Sequence, residues 1–208
     1  MKTVLCYGDS NTWGYIPGTG QRFAPDVRWP GVMAAQLGPG YRVVEEGLNA
    51  RTTCLDDPTR PGRNGLTYLR PCLDSHAPLD LVIVFLGCND CKYRFGLSAY
   101  DIAQNAAVLV GVVQATPCGV GGVPPPVLLM SPPPLGPFTA LDDLFAGAEE
   151  RSRGLAKHYR AVAEQAHCHF LDAGAFVKID PADGVHLDEL SHRTLGDQLA
   201  AAVRTLIP

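Results

Sequence analysis

Six consecutive apolar residues, Leu-Val-Ile-Val-Phe-Leu at 81–86, follow Asp80 and give way at once to Gly-Cys-Asn-Asp. A strand with no polar face must be covered on both sides, the condition of a central strand in a parallel sheet. The segment Asp80–Leu86 is therefore expected to be the middle of the fold. Shorter apolar runs at Thr3–Tyr7, Arg42–Glu45, Val127–Ser131 and His169–Asp172 read as further strands. Between them lie segments of helical period at Trp29–Leu37, Gly65–Ser75, Ser98–Ala115 and Asp142–Ala166, with a last one at Ser191–Leu206. Ile102, Ala106, Leu109 and Val113 share one helical face, as do Leu195, Leu199, Ala202 and Leu206. Pro30 suits a first helical turn, where its missing N–H costs nothing. Strand alternating with helix predicts a three-layer α/β/α sandwich around a central, mostly parallel five-stranded sheet. At 208 residues this is expected to be one domain spanning 1–208.

The remaining composition narrows the class of partner. Hydrophobic residues make up 46% of the chain, enough to fill a core, and the formal charge is −4. Without a basic excess the electrostatic footprint of a nucleic-acid binder is missing. The most apolar helical stretch, Ala106–Val113, is far shorter than the roughly 20 residues of a membrane span. The opening Met-Lys-Thr-Val-Leu-Cys-Tyr-Gly-Asp is too brief an apolar run for a signal peptide, so a soluble, cytoplasmic protein is expected. Seven irregularly spaced cysteines then read as free thiols rather than a disulfide framework. Clusters at Pro17–Gly20, Pro58–Gly65, Pro117–Pro126 and Pro132–Pro137 read as loops.

In parallel sandwiches ligands sit beyond the carboxyl ends of the strands. Strand one is followed there by Gly8-Asp9-Ser10-Asn11-Thr12, strand two by Gly47-Leu48-Asn49-Ala50, and strand three by Gly87-Cys88-Asn89-Asp90. Asp183-Gly184-Val185-His186 precedes the last helix. Each alone could be a turn or a cap. Together, at one edge of the sheet, they supply a nucleophile, a base, an orienting acid and oxyanion donors.

These four blocks resemble those of the SGNH (GDSL-type) hydrolases, which carry Ser, Gly, Asn and His in this order. The longer segments Gly-Asp-Ser-Asn-Thr-Trp-Gly-Tyr at 8–15, Arg-Phe-Ala-Pro-Asp-Val-Arg-Trp at 22–29 and Glu-Glu-Gly-Leu-Asn-Ala-Arg-Thr-Thr at 45–53 look like the arylesterase and acyltransferase branch. Tyr15 stands where that branch commonly has Trp, and Cys88 and Cys91 stand where hydroxyl residues are usual. The resemblance implies a flavodoxin-like SGNH fold and a serine esterase acting on small or aryl esters. It also implies transfer of the acyl group to alcohols as well as water, and a homo-oligomer whose subunits narrow the entrance. A carbohydrate deacetylase or lysophospholipase on the same fold, or a non-catalytic binding protein, are the rival readings.

The residues support that chemistry without the family name. A serine hydroxyl is a weak nucleophile until a neighbouring base takes its proton. An imidazole such as that of His186 is the usual side chain for this role near neutral pH, and Asp183, three residues before it, can hold one ring nitrogen while the other faces Ser10. The Ser10 and Gly47 N–H groups and the Asn89 amide are the candidate oxyanion donors, glycine at 47 allowing close backbone approach. Thr12 stands where the second glycine of a Gly-x-Ser-x-Gly elbow belongs, against the α/β-hydrolase solution. Trp13, Tyr15 and Phe138 are the candidate pocket residues, with core packing open for Trp13. Ser131–Leu135 reads equally as a rigid pocket wall or a plain loop.

Competing ligand sets are weaker. Cys88-x-x-Cys91 with His167 and His169 lacks the second paired motif of a zinc site, so no metal and no cofactor are expected. His158, His167 and His169 read as surface or helix-end histidines. His192 competes with His186, since Glu189 also precedes it by three residues, but it should lie inside the last helix rather than in the loop before it. Asp9 and Asp90 read as structural carboxylates that accept backbone N–H bonds and pin their loops.

Overall fold

The computed structural model describes residues 1–138 and 140–208. Its five strands are β1 (Lys2–Gly8), β2 (Tyr41–Gly47), β3 (Leu81–Phe85), β4 (Val127–Ser131) and β5 (His169–Asp172), joined in one sheet of order β2-β1-β3-β4-β5. Every pairing is parallel, with Val4 opposite both Val43 and Leu81 and with Phe85 opposite Met130. All five side chains of β3 and of β4 are buried, as their unbroken apolar sequences require. β2 at one edge and β5 at the other are mostly half-buried, which is why polar Arg42, Glu45 and Glu46 are tolerated there.

The helices are α1 (Ser10–Trp13), α2 (Trp29–Leu37), α3 (Gly65–His76), α4 (Ala99–Gln114), α5 (Ala148–Arg153), α6 (Leu155–Gln165) and α7 (Glu189–Leu206). α2 packs on α7 to form one outer layer, and α3, α4 and α6 pack in series to form the other. Their starts are written in capping chemistry. The Asn64 side chain accepts the Leu66 N–H, Ser98 and Asp101 cap α4 reciprocally, and the Asp188 carboxylate accepts the Ser191 N–H. Among the described residues no helix is long and apolar enough to cross a membrane.

One element departs from expectation. The single helix expected over Asp142–Ala166 is two helices, α5 and α6, preceded by turns. Gly147 sits at φ 72°, outside helical geometry, and Gly154 separates the two segments. The apolar spacing continues through this stretch, but glycine forgoes about 1 kcal/mol of helix propensity per residue and lets the chain break.

The order 2-1-3-4-5 reverses direction between β1 and β3, and the crevice at such a switch point is where parallel sandwiches bind ligands. Ser10 follows β1, and Asn89 lies four residues after β3.

Candidate active site

Ser10 is the first residue of α1, which starts two residues after the β1 terminus Gly8. So abrupt a turn brings helix backbone against the ends of the neighbouring strands. A Cβ on Gly47 would lie 2.2 Å from the Trp13 backbone nitrogen, so only glycine fits beneath α1 at that point. The Asp9 carboxylate accepts the Asn11 N–H at 2.9 Å and fixes the turn. Burial raises the Asp9 carboxyl to about 6, against the Asn11 hydrogen bond and the charges of His186, Arg51 and Lys92.

The loop before α7 brings the partners. His186 Nε2 lies 2.9 Å from Ser10 Oγ, and His186 Nδ1 lies 2.8 Å from Asp183 Oδ2. The Asp183 carboxylate also accepts the Val185 and His186 N–H groups at 2.9 and 3.0 Å and the Gly18 N–H at 3.1 Å. Burial alone would raise this carboxyl, but the His186 hydrogen bond and charge, with the Val185 and His186 N–H groups, outweigh it and hold Asp183 at about 2. It therefore stays ionised beside the imidazole at any pH near neutrality. Tyr15 stacks on the His186 ring, centroids 4.1 Å apart, and limits its rotation.

A clamp that the sequence did not announce joins the two loops. Asn11 Nδ2 donates to the Val185 carbonyl at 3.1 Å, and Asn11 Oδ1 accepts the Leu187 N–H at 2.9 Å. One buried side chain thereby fixes the residues on both sides of His186 to the turn that carries Ser10. Only the tertiary structure shows this role, because the partners are more than 170 positions away.

His192 lies elsewhere. It is fully buried in α7, its Nδ1 accepts the Trp29 N–H at 3.3 Å, and Phe23 meets its ring edge-on. Burial drives its pKa down to about 4, so it is a neutral core histidine away from Ser10.

Asn89 lines the cleft beside Ser10 and His186. Its Nδ2 donates to the Arg51 carbonyl at 3.1 Å, and its other contact, to Asp9 Oδ2, is a long 3.4 Å. Asp90 next to it accepts the Thr53 N–H at 3.1 Å and the Thr53 hydroxyl, pinning the two loops together. Burial raises Asp90 to about 6 despite the Thr53 bonds.

Gly47 does not take the position expected of it. It faces a neighbouring cavity of about 650 Å³ with Glu46, Leu48, Arg51 and Tyr68, and it is absent from the walls of the Ser10 cleft. Ala50, three residues on, is in those walls. It holds φ 67°, a left-handed conformation that costs an alanine roughly 1 kcal/mol, and its N–H has no partner among the described residues. The Ser10 N–H is likewise unpaired, as expected at the first position of a helix.

The cleft holds about 370 Å³, and Tyr15 lines it as anticipated. Trp13 and Phe138 do not. Trp13 packs beside Tyr15 under the Arg22 guanidinium, and Phe138 stacks behind Phe145, which takes the wall with Leu141 and Leu144. Pro134, Leu135 and Pro137 border a separate depression, so the proline run after β4 is not a wall of this cleft. Cys88 and Cys91 are buried free thiols, Cys88 within 3.9 Å of Asn11 Nδ2, while His169 begins the far edge strand β5. Burial raises both thiols, Cys91 to about 12.

A parallel sandwich with serine, histidine and aspartate in hydrogen-bonded series at its switch point is the architecture of a serine-type acyl hydrolase. Residues 6–194 match the GDSL-like lipase/acylhydrolase family, and the chain belongs to it. No curated protein sequence matches. Among solved structures, an aryl esterase from M. smegmatis is 47% identical over 100% of both chains, with a TM-score of 0.96. A carbohydrate acetylesterase from Sinorhizobium meliloti is 44% identical over 100% of both chains, TM-score 0.95. A second carbohydrate acetylesterase family member from that organism is 40% identical over 100% of this chain and 99% of its own, TM-score 0.94. Family and likeness together make this chain a carboxylic ester hydrolase.

Proposed function

We propose that the protein is a serine esterase of small or aryl carboxylic esters that works through an acyl-Ser10 intermediate. The unbroken series Ser10 Oγ, His186 and Asp183, at 2.9 and 2.8 Å, is the observation that carries this reading. In the proposed first step Ser10 Oγ attacks the ester carbonyl carbon while His186 Nε2 takes its proton. Asp183 holds the opposite ring nitrogen and stabilises the imidazolium. The carbonyl oxygen becomes an oxyanion. The unpaired N–H groups of Ser10 and Ala50 are donors for it, and so is the second hydrogen of Asn89 Nδ2, whose 3.4 Å contact with Asp9 is weak enough to release. Ala50 thus replaces Gly47 in the donor set. His186 then returns the proton to the leaving alkoxide, and the acyl-enzyme is resolved by a water or alcohol that His186 deprotonates in turn.

Labelling with a fluorophosphonate followed by peptide mapping tests the reading. The label is expected on Ser10, and its absence, or stoichiometric labelling elsewhere, overturns it. The likeness to carbohydrate acetylesterases favours a second reading, removal of acetyl groups from sugars, and hydrolysis of an acetylated sugar faster than of an aryl acetate would establish it. Acyl transfer is the finer part of the proposal. An alcohol competes with water at about 55 M only when the site orients it as an intramolecular-like reactant. Tyr15, Leu141, Leu144 and Phe145 supply an apolar surround for that, and a homo-oligomer would deepen the cleft. With vinyl acetate and a primary alcohol in buffer, ester is expected to form beside free acid, from a particle heavier than one subunit by light scattering. Free acid alone from a monomer refutes the transferase part and leaves the esterase part standing.

A further inference from the structure

Besides Leu141, Leu144 and Phe145, the Ser10 cleft is lined by residues of two loops that are rich in cations. Asp57, Thr59 and Arg60 come from one loop and Lys92 and Arg94 from the other. Three positive side chains face this cleft against one carboxylate. Asp57 is buried and already shared, with Lys92 Nζ at 3.4 Å from one oxygen and Arg94 at 3.0 Å from the other. Thr59 adds its own N–H and hydroxyl to the same carboxylate, at 3.0 and 2.7 Å. Four donors thus converge on a single acceptor group. Nothing remains for Arg60, whose guanidinium makes no ion pair or hydrogen bond among the described residues. The uncompensated charge at the cleft is therefore positive.

Lys92 reports the same imbalance. Its side chain is only 6% exposed. Burial lowers its pKa, and the charges of Arg94 and Arg60 lower it further against the pull of Asp57. Arg60 is thus electrically part of this cluster rather than a remote surface group. A buried ammonium pressed by two guanidiniums is relieved by an anion entering the cleft, and a guanidinium offers a carboxylate two parallel N–H donors.

We propose that this cluster is an anion subsite, and that the esters the enzyme prefers carry a negative charge, a carboxylate, within reach of Arg60. The inference rests on the serine-esterase reading of the same cleft. The carboxylate could belong to the acyl part, as in a hemi-ester of a dicarboxylic acid, or to the alcohol part, as in an acylated hydroxybenzoate. The apolar wall receives the rest of the substrate in either case.

Two matched pairs of esters test it, with 4-nitrophenyl acetate as the reference for catalysis. Mono-4-nitrophenyl glutarate is compared with 4-nitrophenyl pentanoate for an anionic acyl group. 4-Acetoxybenzoate is compared with its methyl ester for an anionic alcohol. An exposed ion pair supports roughly a fivefold preference in kcat/KM for the anionic member of at least one pair. That ratio is expected to fall to about one in Arg60→Gln, to drop below one in Arg60→Glu, to persist in Arg60→Lys, and to shrink with added salt. The pair that responds identifies the side of the ester that bears the charge. Hydrolysis of 4-nitrophenyl acetate with no preference in either pair, or a preference unmoved by Arg60→Glu, overturns the subsite. Failure to hydrolyse any of the five esters overturns the esterase reading instead.

Discussion

Replacing Asn11 by alanine tests whether the two loops of the site are held together by one side chain. Asn11 Nδ2 bonds the Val185 carbonyl at 3.1 Å and Asn11 Oδ1 takes the Leu187 N–H at 2.9 Å, with Val185 3% and Leu187 0% exposed. In Asn11→Ala both backbone groups lose their partner where water has little access. Each such loss costs roughly 1–3 kcal/mol, so stability to urea is expected to fall by about 2–6 kcal/mol. The chemical step should suffer separately. Val185 and Leu187 bracket His186, and a displacement of the base by about 1 Å costs on the order of 10²-fold in rate.

The decisive assay is a cycle with His186→Ala. If Asn11 acts by positioning His186, Asn11→Ala lowers kcat in the wild-type background but adds almost nothing once His186 is gone. The stability loss, by contrast, should persist in both backgrounds. An Asn11→Ala protein within about 0.5 kcal/mol of wild-type stability would refute the clamp, since two buried groups would then have found other partners. A kcat loss equally large with and without His186 would refute the positioning role.

Ser10→Ala and His186→Ala are each expected to lower kcat/KM on 4-nitrophenyl acetate by roughly 10³-fold or more, whereas His192→Ala stays active though less stable. The reverse ranking of the two histidines would mean that the wrong base has been assigned. As a proposed oxyanion donor, Asn89 replaced by alanine is expected to cost about 10²–10³ in kcat with little change in KM, because an oxyanion's charge exists mainly in the transition state, and an effect confined to KM would make Asn89 a ground-state binder. Asp90, raised from 3.8 to about 6 by burial, binds its proton more tightly in the folded chain. Its contribution to stability is therefore fully present below about pH 4 and is lost as pH rises through about 6. Asp90→Asn should flatten the stability profile from below pH 4 up to pH 7 by about 3 kcal/mol, and an unchanged urea midpoint profile would contradict this.

The layers of the fold were legible because the sheet interior leaves no choice of residue. β3 and β4 are apolar without a gap, and β1 buries every residue after Lys2. The edge strand β2 was read short, as Arg42–Glu45 instead of Tyr41–Gly47, since at an edge polar and apolar residues are both admissible. α7 begins at Glu189 rather than Ser191 because the Asp188 carboxylate caps it, a contact that outweighs where the apolar period begins. The split of α5 from α6 was hidden for the opposite reason, since the period persists across Gly154 while the backbone does not.

In the site, the structure brings together Ser10, Asn89, Asp183 and His186, which the sequence marks by their place after a strand or before the last helix, whereas Ala50 and Asn11, set by a backbone angle and by distant partners, carry no such mark. Gly47 is instructive. A glycine in a sequence signals that a Cβ is unwelcome, without saying which neighbour excludes it. An oxyanion was the neighbour expected, but the structure puts the Trp13 backbone there, 2.2 Å from where the Cβ would stand. The left-handed turn that leaves an N–H unpaired in the cleft wall is made three residues later by Ala50, at φ 67°. Alanine carries no mark of that conformation, because its cost is set against the energy of the whole loop. That loop is held by the Arg51 side chain on the Gly8 carbonyl at 2.8 Å and by the Arg51 carbonyl on Asn89 at 3.1 Å. The strain at Ala50 is sustained by its neighbour, so the donor in the cleft wall is specified by residue 51 as much as by residue 50.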